Sequence, residues 1–181
     1  VYLKKIKSLF SLSKLANQTL ETESKIQSIC GSFINIKGSM FLGRGYSFPI
    51  ALEGALKLKE LAYVHAEGYP AGEMKHGPLA LIEEGMPVVV LAPRDEYYKK
   101  TISNMQEVIA RGAKVLLITN KSKDEIYSEN IWEKIEIENT EEDLFPFLTT
   151  IPLQKLAYYS ALKKGYDIDK PRNLAKSVTV E

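Results

Sequence analysis

Short apolar runs alternate with longer amphipathic stretches along this chain. Apolar or alternating runs bounded by turn residues predict buried or edge strands at residues 39–42, 87–93, 115–119 and 132–137. Apolar residues at helical spacing, with capping and stop residues, predict helices over 1–29 (in one or two pieces), 48–63, 95–111 and 140–164. Strands that alternate with helices predict an α/β fold, a doubly wound parallel sheet flanked by helices.

The same pattern suggests how the chain is organised. Residues 39–166 are predicted to form one domain, after an N-terminal helical segment at 1–38 and before a polar tail at 167–181. Residues 64–77, rich in glycine, proline and polar side chains, predict a defined loop. Ligands of parallel sheets bind outside the carboxyl ends of the strands, so the loop around Gly43 and the tail are expected to meet there.

Composition narrows the classes of function. The 181 residues carry 24 basic and 23 acidic side chains, and this balance gives no electrostatic argument for nucleic acid or an anionic membrane. No apolar run approaches the roughly 20 residues of a membrane span, and the amphipathic N-terminus predicts no signal peptide. A cytoplasmic, reducing setting is expected. The chain starts at Val1 rather than methionine, which suggests a piece of a longer protein.

Cysteine and histidine are too few for most metal sites. The single cysteine, Cys30, cannot form an internal disulfide, and together with two histidines it makes no recognisable zinc site. We therefore expect no metal, and we interpret Cys30 as a packed thiol.

The helix at 48–63 carries the first candidate chemistry. At about 100° per residue, Glu53, Lys57 and Glu60 share a narrow stripe on an otherwise mostly apolar helix. They could form a simple helix salt bridge, because Glu53 and Lys57 are four apart in the favourable order. Alternatively, Glu60 is a general acid or base beside an ammonium group that holds a substrate oxygen.

Three other features are candidates with structural alternatives. His76, at the end of the 66–78 segment, is either an ordinary exposed histidine or a proton shuttle in a cleft. The Gly43-Arg44-Gly45 loop has the position of a phosphate cradle but lacks the third glycine of a dinucleotide fingerprint and the lysine of a P-loop, so a tight turn is equally consistent. The tail is either frayed or docked, and a docked tail would bring the amine of Lys176 to a sugar carbonyl.

Two long motifs resemble a known family. Residues 43–82, GRGYSFPIALEGALKLKELAYVHAEGYPAGEMKHGPLALI, resemble the second sugar-isomerase (SIS) subdomain of the glutamine–fructose-6-phosphate amidotransferases, also called glucosamine-6-phosphate synthases. The ending DKPRNLAKSVTVE, residues 169–181, is similar to the C-terminus of the same family, and residues 152–158 continue the likeness. The likeness covers nearly the whole chain, although residues 1–39 match only in pattern.

The resemblance implies roles for individual residues. It implies that Lys176 forms a Schiff base with fructose 6-phosphate, and that Glu60 moves a proton between C1 and C2 to give glucosamine 6-phosphate. Lys57 assists near the sugar hydroxyls, and Ala175 joins Lys57 and Lys176 in binding substrate. His76 is linked to ring opening and is supplied by the neighbouring subunit of a homodimer. The family uses no organic cofactor and no metal.

The resemblance also implies missing parts. The main phosphate loop of the family lies in its first SIS subdomain, and the ammonia source is a glutaminase domain; neither is present in these 181 residues. The Gly43 loop should therefore not bind the substrate phosphate, and the piece alone should have little activity. The alternatives are a non-catalytic SIS module that binds a sugar phosphate, and a structural dimerisation piece.

Overall fold

The computed structural model describes residues 2–122 and 130–174. Its helices are α1 (Tyr2–Leu20), α2 (Glu23–Ile29), α3 (Ser47–Ala62), α4 (Tyr98–Ile109) and α5 (Phe145–Lys163). Its strands are β1 (Ser39–Gly43), β2 (Ala66–Pro70), β3 (Pro87–Leu91), β4 (Lys114–Asn120) and β5 (Glu133–Ile137). Short 3-10 turns follow α2, lie between β2 and β3, and precede α5.

All five strands pair in parallel, in the order β2-β1-β3-β4-β5. The chain adds β2 on one side of β1 and then returns to add β3, β4 and β5 on the other side. This reversal is the topological switch of doubly wound sheets. The predicted fold class is confirmed.

Alternate residues of each strand face two separate apolar layers. Phe41, Val89 and Leu116 face a layer built from α2, α3 and α5, whereas Met40, Val88 and Val115 face a layer that includes α4. β3 and nearly all of β4 are buried on both faces, which explains their unbroken apolar sequence. Ile26 and Ile29 of α2 are buried in the first layer, so α2 is part of the core, whereas Tyr2 and Phe10 of α1 are exposed.

The sequence prediction of a loop over residues 64–77 is wrong for its first part. Ala66–Pro70 forms strand β2, which pairs with β1 along its whole length. Gly68 and Pro70 are poor strand formers, but β2 is an edge strand, where proline removes no ladder hydrogen bond. Gly68 is also required by packing, because a Cβ there would lie 2.8 Å from the backbone nitrogen of Leu52 in α3.

The last helix begins later than predicted. Residues 142–144 form a 3-10 turn, and α5 then starts at Phe145 with Pro146 in its first turn, where proline needs no donor. Pro152 lies inside the helix, which continues without interruption to Lys163. α5 packs along α3, and the pair covers one face of the sheet.

The lack of a side chain at Gly54 lets α3 pack closely against side chains of β1 and α5. A Cβ added to Gly54 would lie 2.9 Å from Leu153 Cδ1 and 3.0 Å from Phe41 Cδ1, so only glycine fits without displacement. At the other end, Lys164 Nζ donates a 2.6 Å hydrogen bond to the Ala62 carbonyl oxygen. Cations are favourable at helix C-termini, so this contact stabilises the end of α3.

Two smaller expectations can be compared with the structure. Cys30 is buried with 3% exposure, its Sγ lies 3.2 Å from the Gln27 carbonyl oxygen, and burial raises its pKa, as expected of a packed thiol. Among the helices described, none has the length and apolar character to cross a membrane. The cytoplasmic setting stays a prediction.

Candidate active site

The charged stripe of α3 forms a compact cluster. Lys57 Nζ lies 2.6 Å from Glu60 Oε2 and 3.9 Å from Glu53 Oε1. The three side chains retain 28–32% of their exposure, so they are neither free in solvent nor fully buried. The helical spacing predicted from the sequence therefore places one ammonium between two carboxylates.

The ion pair changes the proton affinity of Lys57. Its pKa is raised above the ordinary lysine value, chiefly by the hydrogen bond to Glu60 and against the opposing effect of burial. The ammonium form therefore persists throughout the neutral range. It can orient the Glu60 carboxylate and donate to an oxygen of a bound molecule.

Lys57 of this cluster lines a groove between α3 and α5. The groove has a volume of about 450 Å³ and is lined by Lys57 and Leu61 of α3, by Glu23 of α2, and by Gln154, Lys155, Tyr158 and Tyr159 of α5. Lys155 is held there by Glu23, at 2.9 Å between Nζ and Oε2. Sequence reasoning did not single out these α5 residues as lining a site, although their stretch overlaps the 152–158 likeness.

The start of the tail docks beside the C-terminal end of α3. Arg172 N donates a 2.8 Å hydrogen bond to the Tyr63 hydroxyl, and the Arg172 guanidinium lies 4.2 Å from the centre of the Tyr63 ring. Tyr63 also packs on Tyr166, with ring centres 4.7 Å apart. Tyr63 is the C-terminal cap of α3 and has a positive φ of 52°.

This docking corrects one expectation. The tail was expected to meet the Gly43 loop at the carboxyl ends of the strands. α3 starts beside that loop, and Tyr63 at its far end lies near the amino end of β1, where His65 O accepts a hydrogen bond from Ser39 N. As far as Leu174, the tail therefore lies at the opposite end of α3 from the Gly43 loop. Lys176 and Ala175 lie outside the described residues.

The Gly43 loop is a tight turn. A Cβ on Gly43 would lie 2.3 Å from the Ser47 carbonyl oxygen, and Gly45 has a φ of +51°. These two features explain the glycines through backbone packing alone, which was the structural alternative in the sequence. The loop connects β1 to α3 and thereby sets the direction of the helix that carries Lys57 and Glu60.

His76 is not brought to the Lys57–Glu60 cluster within one chain. Its neighbour Met74 is buried in the layer that packs on the α4 face of the sheet, whereas α3 covers the other face. The His76 side chain is 76% exposed, and its Nε2 lies 3.7 Å from Glu73 Oε2. His65 is similarly exposed, with Nε2 3.6 Å from Glu67 Oε1. Over residues 2–122 and 130–174, no group of His, Cys, Asp and Glu side chains could hold a metal ion.

A doubly wound parallel sheet with helices on both faces defines this chain as an open-sheet α/β protein, a class that commonly binds small ligands. Comparison with known protein families makes this class specific. The chain belongs to the SIS domain family, whose family model matches residues 32–164.

Curated relatives confirm the resemblance to the amidotransferases. The chain is 51% identical over 176 residues to a glutamine–fructose-6-phosphate aminotransferase [isomerizing] of Bartonella henselae, covering 97% of this chain and 29% of that protein. An Aquifex aeolicus relative of the same name is 52% identical, with 97% of this chain and 30% of that protein covered. The chain thus spans less than a third of the length of these relatives.

Solved structures agree on the fold. The C-terminal domain of glucosamine-fructose-6-phosphate aminotransferase from Francisella tularensis superposes with a TM-score of 0.88 at 43% identity, over 92% of this chain and 47% of that one. The sugar isomerase domain of an RpiR transcription factor from Sphaerobacter thermophilus has a TM-score of 0.73 at 14% identity, over 89% of this chain and 91% of that one. At that identity the second likeness shows the fold alone.

Proposed function

We propose that this chain is the C-terminal part of the sugar-isomerase site of a glucosamine-6-phosphate synthase. The full enzyme would convert fructose 6-phosphate and glutamine-derived ammonia into glucosamine 6-phosphate. The observation that carries the proposal is the Lys57–Glu60 pair, with Nζ and Oε2 2.6 Å apart and with Lys57 lining an open groove. Relatives about half identical in sequence bear the corresponding enzyme name.

Carbonyl chemistry requires an amine nucleophile, which we assign to Lys176. Its nitrogen attacks C2 of the open-chain ketose, and the carbonyl oxygen leaves as water to give a Schiff base. Arg172 of the tail contacts Tyr63, which caps α3 three residues beyond Glu60. Four further residues span at most about 14 Å, a length that suits delivery of Lys176 to the end of α3 that carries Glu60. Ala175 would then line the substrate beside it.

Isomerisation requires one base that reaches two carbons, which we assign to Glu60. Ammonia displaces the lysine amine at C2, and Glu60 then takes a proton from C1 and returns it at C2, so no redox step is needed. The position of Glu60 on a rigid helix suits this double role. The Lys57 ammonium holds the Glu60 carboxylate and donates to the sugar hydroxyls.

Ring opening requires a proton shuttle, which we assign to His76 acting on a second subunit. Two observations support this assignment: the exposed imidazole and its place on the opposite sheet face from Lys57. A non-catalytic sugar-phosphate module would need neither a Lys57–Glu60 pair at a groove nor a docked tail. The enzyme is therefore the better supported function.

The proposal is tested with two proteins. One is the 181-residue chain, and the other is a chimera in which it replaces the matched 29% of the Bartonella henselae relative. With fructose 6-phosphate and ammonia, we expect glucosamine 6-phosphate from the chimera and little or none from the chain, which lacks the phosphate loop. A folded chimera without activity refutes the function, and robust activity of the chain refutes the divided site.

A further inference from the structure

The loop that carries His76 rests on a polar contact that the proposed function leaves unexplained. We call this contact, formed by Arg44, Asn104 and Gly72, the clamp. Arg44 follows β1 and points its guanidinium at α4, where Nε and Nη2 lie 3.1 and 3.0 Å from Asn104 Oδ1. Asn104 is 6% exposed, and Arg44 is half-buried. A charged donor on a buried amide oxygen makes a stronger contact than an exposed surface pair.

The guanidinium also forms the support on which residues 71–77 rest. A Cβ built on Gly72 would lie 2.7 Å from Arg44 Nη2 and 3.0 Å from Arg44 Cζ, so the glycine lets the loop lie directly on the arginine. Next to it, Ala71 N donates a 2.9 Å hydrogen bond to the Gly43 carbonyl oxygen. The loop is thus held to the residue that precedes Arg44 and to Arg44 itself.

A second link joins the same loop to the same helix. Lys75 Nζ lies 3.0 Å from Glu107 Oε1, and Glu107 is three residues beyond Asn104 on the same side of α4. Because the Lys75 side chain is 58% exposed, this pair contributes little by itself. Together the two links attach the loop to one stripe of α4, on either side of the buried Met74.

We propose that Arg44 is a positioning residue, which fixes the His76 loop by clamping Gly72 against Asn104 of α4. His76 is exposed and belongs to a short 3-10 turn, which by itself gives its imidazole little definition. A proton shuttle must hold a defined position to act on another subunit. The contact of Arg44 with Asn104 and Gly72 holds the loop in one position. The effect of this contact on catalysis rests on the proposed function, but its effect on the order of the loop does not.

Hydrogen exchange of the 181-residue chain tests the mechanical part. In Arg44→Met, we expect the amides of Ala71, Glu73 and His76 to exchange about tenfold faster or more, the effect of losing a hydrogen bond to a charged group. Asn104→Leu should act in the same way. Asn104→Asp retains an oxygen that accepts from Arg44, so these amides should exchange as slowly as in the parent. Lys37→Met, which removes a cation from an exposed pair with Glu83, is the matched control and should leave these amides unchanged.

A milder variant keeps the test valid if Arg44→Met does not fold. Gly72→Ala displaces only the end of the arginine side chain, and should accelerate the same amides; combined with Arg44→Met it should add nothing. Unchanged exchange in whichever of these variants folds overturns the clamp.

The chimera tests the positioning role. Arg44→Met should lower kcat by about tenfold with KM within about twofold, and Asn104→Asp should keep kcat near the parent value. An unchanged kcat in Arg44→Met, while His76→Ala is inactive, overturns the positioning role alone. An unchanged kcat in His76→Ala removes the role of His76 in the proposed function, and with it the catalytic meaning of the clamp.

Discussion

Lys57 Nζ and Glu60 Oε2 lie 2.6 Å apart, one helical turn from each other on α3. On an exposed helix such a pair would be worth a few tenths of a kcal/mol and would have no further meaning. Here Lys57 lines a groove whose far wall is α5, and the tail docks on Tyr63, at the end of the same helix. We propose that this setting makes the pair catalytic rather than only structural.

Removing the carboxylate base should stop sugar conversion. In the chimera, Glu60→Gln retains an oxygen that can accept from Lys57 but cannot take up a proton at neutral pH. We expect kcat for glucosamine 6-phosphate formation to fall about 100-fold or more, with a small change in KM. Glu83→Gln, at an exposed carboxylate, is the control and should retain activity. Equal kcat values for the two variants would contradict the role of Glu60.

The raised pKa of Lys57 predicts how the stability of the fold changes with pH. Because its pKa is higher in the folded state, the pair stabilises the fold fully below the ordinary lysine pKa, and this contribution disappears as pH rises through the folded value. Lys57→Met should cost about 0.5 kcal/mol at pH 7, and this difference should shrink above pH 10.5. Urea unfolding between pH 7 and 11 measures it, with the exposed Lys59→Met as control. If the loss of unfolding free energy in Lys57→Met grows at alkaline pH, the Lys57–Glu60 pair does not stabilise the fold in the way described.

The packing of α3 at Gly54 should be intolerant of side chains. Gly54→Val would press on Leu153 and Phe41 and destabilise the chain by about 1–3 kcal/mol, despite the better helix propensity of valine. Ser103→Val introduces the same side chain at an exposed position of α4 and should change the free energy of unfolding by less than about 0.5 kcal/mol. If urea midpoints move equally in both variants, the close approach at Gly54 does not constrain α3.

The docking of the tail on Tyr63 can be measured directly. Tyr63→Phe removes the hydroxyl that accepts from Arg172 N, so this amide should exchange about fivefold to tenfold faster. Tyr2→Phe changes a tyrosine that is 85% exposed and should leave the Arg172 amide unchanged. Slow exchange at Arg172 in Tyr63→Phe would show that another contact holds the tail.

Local signals in the sequence were sufficient for much of the fold. The buried apolar runs of β3 and β4 and the periodic α3 lie within a few residues of their predicted bounds, because burial on both faces or one apolar stripe leaves a clear pattern. The stripe of Glu53, Lys57 and Glu60 was likewise readable, since helical geometry alone brings these side chains together.

Features that depend on contacts distant in sequence were not readable. β2 is a strand because β1 offers it a pairing edge and α3 lies close above Gly68, although its own residues favour a turn. Lys155 and Tyr158 face Lys57 only because α5 packs along α3. The tail was expected near Gly43 from a general rule for parallel sheets, but the contact of Arg172 with Tyr63 places its start at the other end of α3.

Borohydride trapping tests the central claim most directly. Chimera protein is incubated with fructose 6-phosphate, reduced with borohydride, digested and mapped by mass spectrometry, with Lys176→Ala as the control. We predict a hexitol phosphate adduct on Lys176, absent from Lys176→Ala, while glutamine hydrolysis persists in that variant. An adduct on another lysine such as Lys57, or no adduct on a chimera that still makes glucosamine 6-phosphate, would contradict the account.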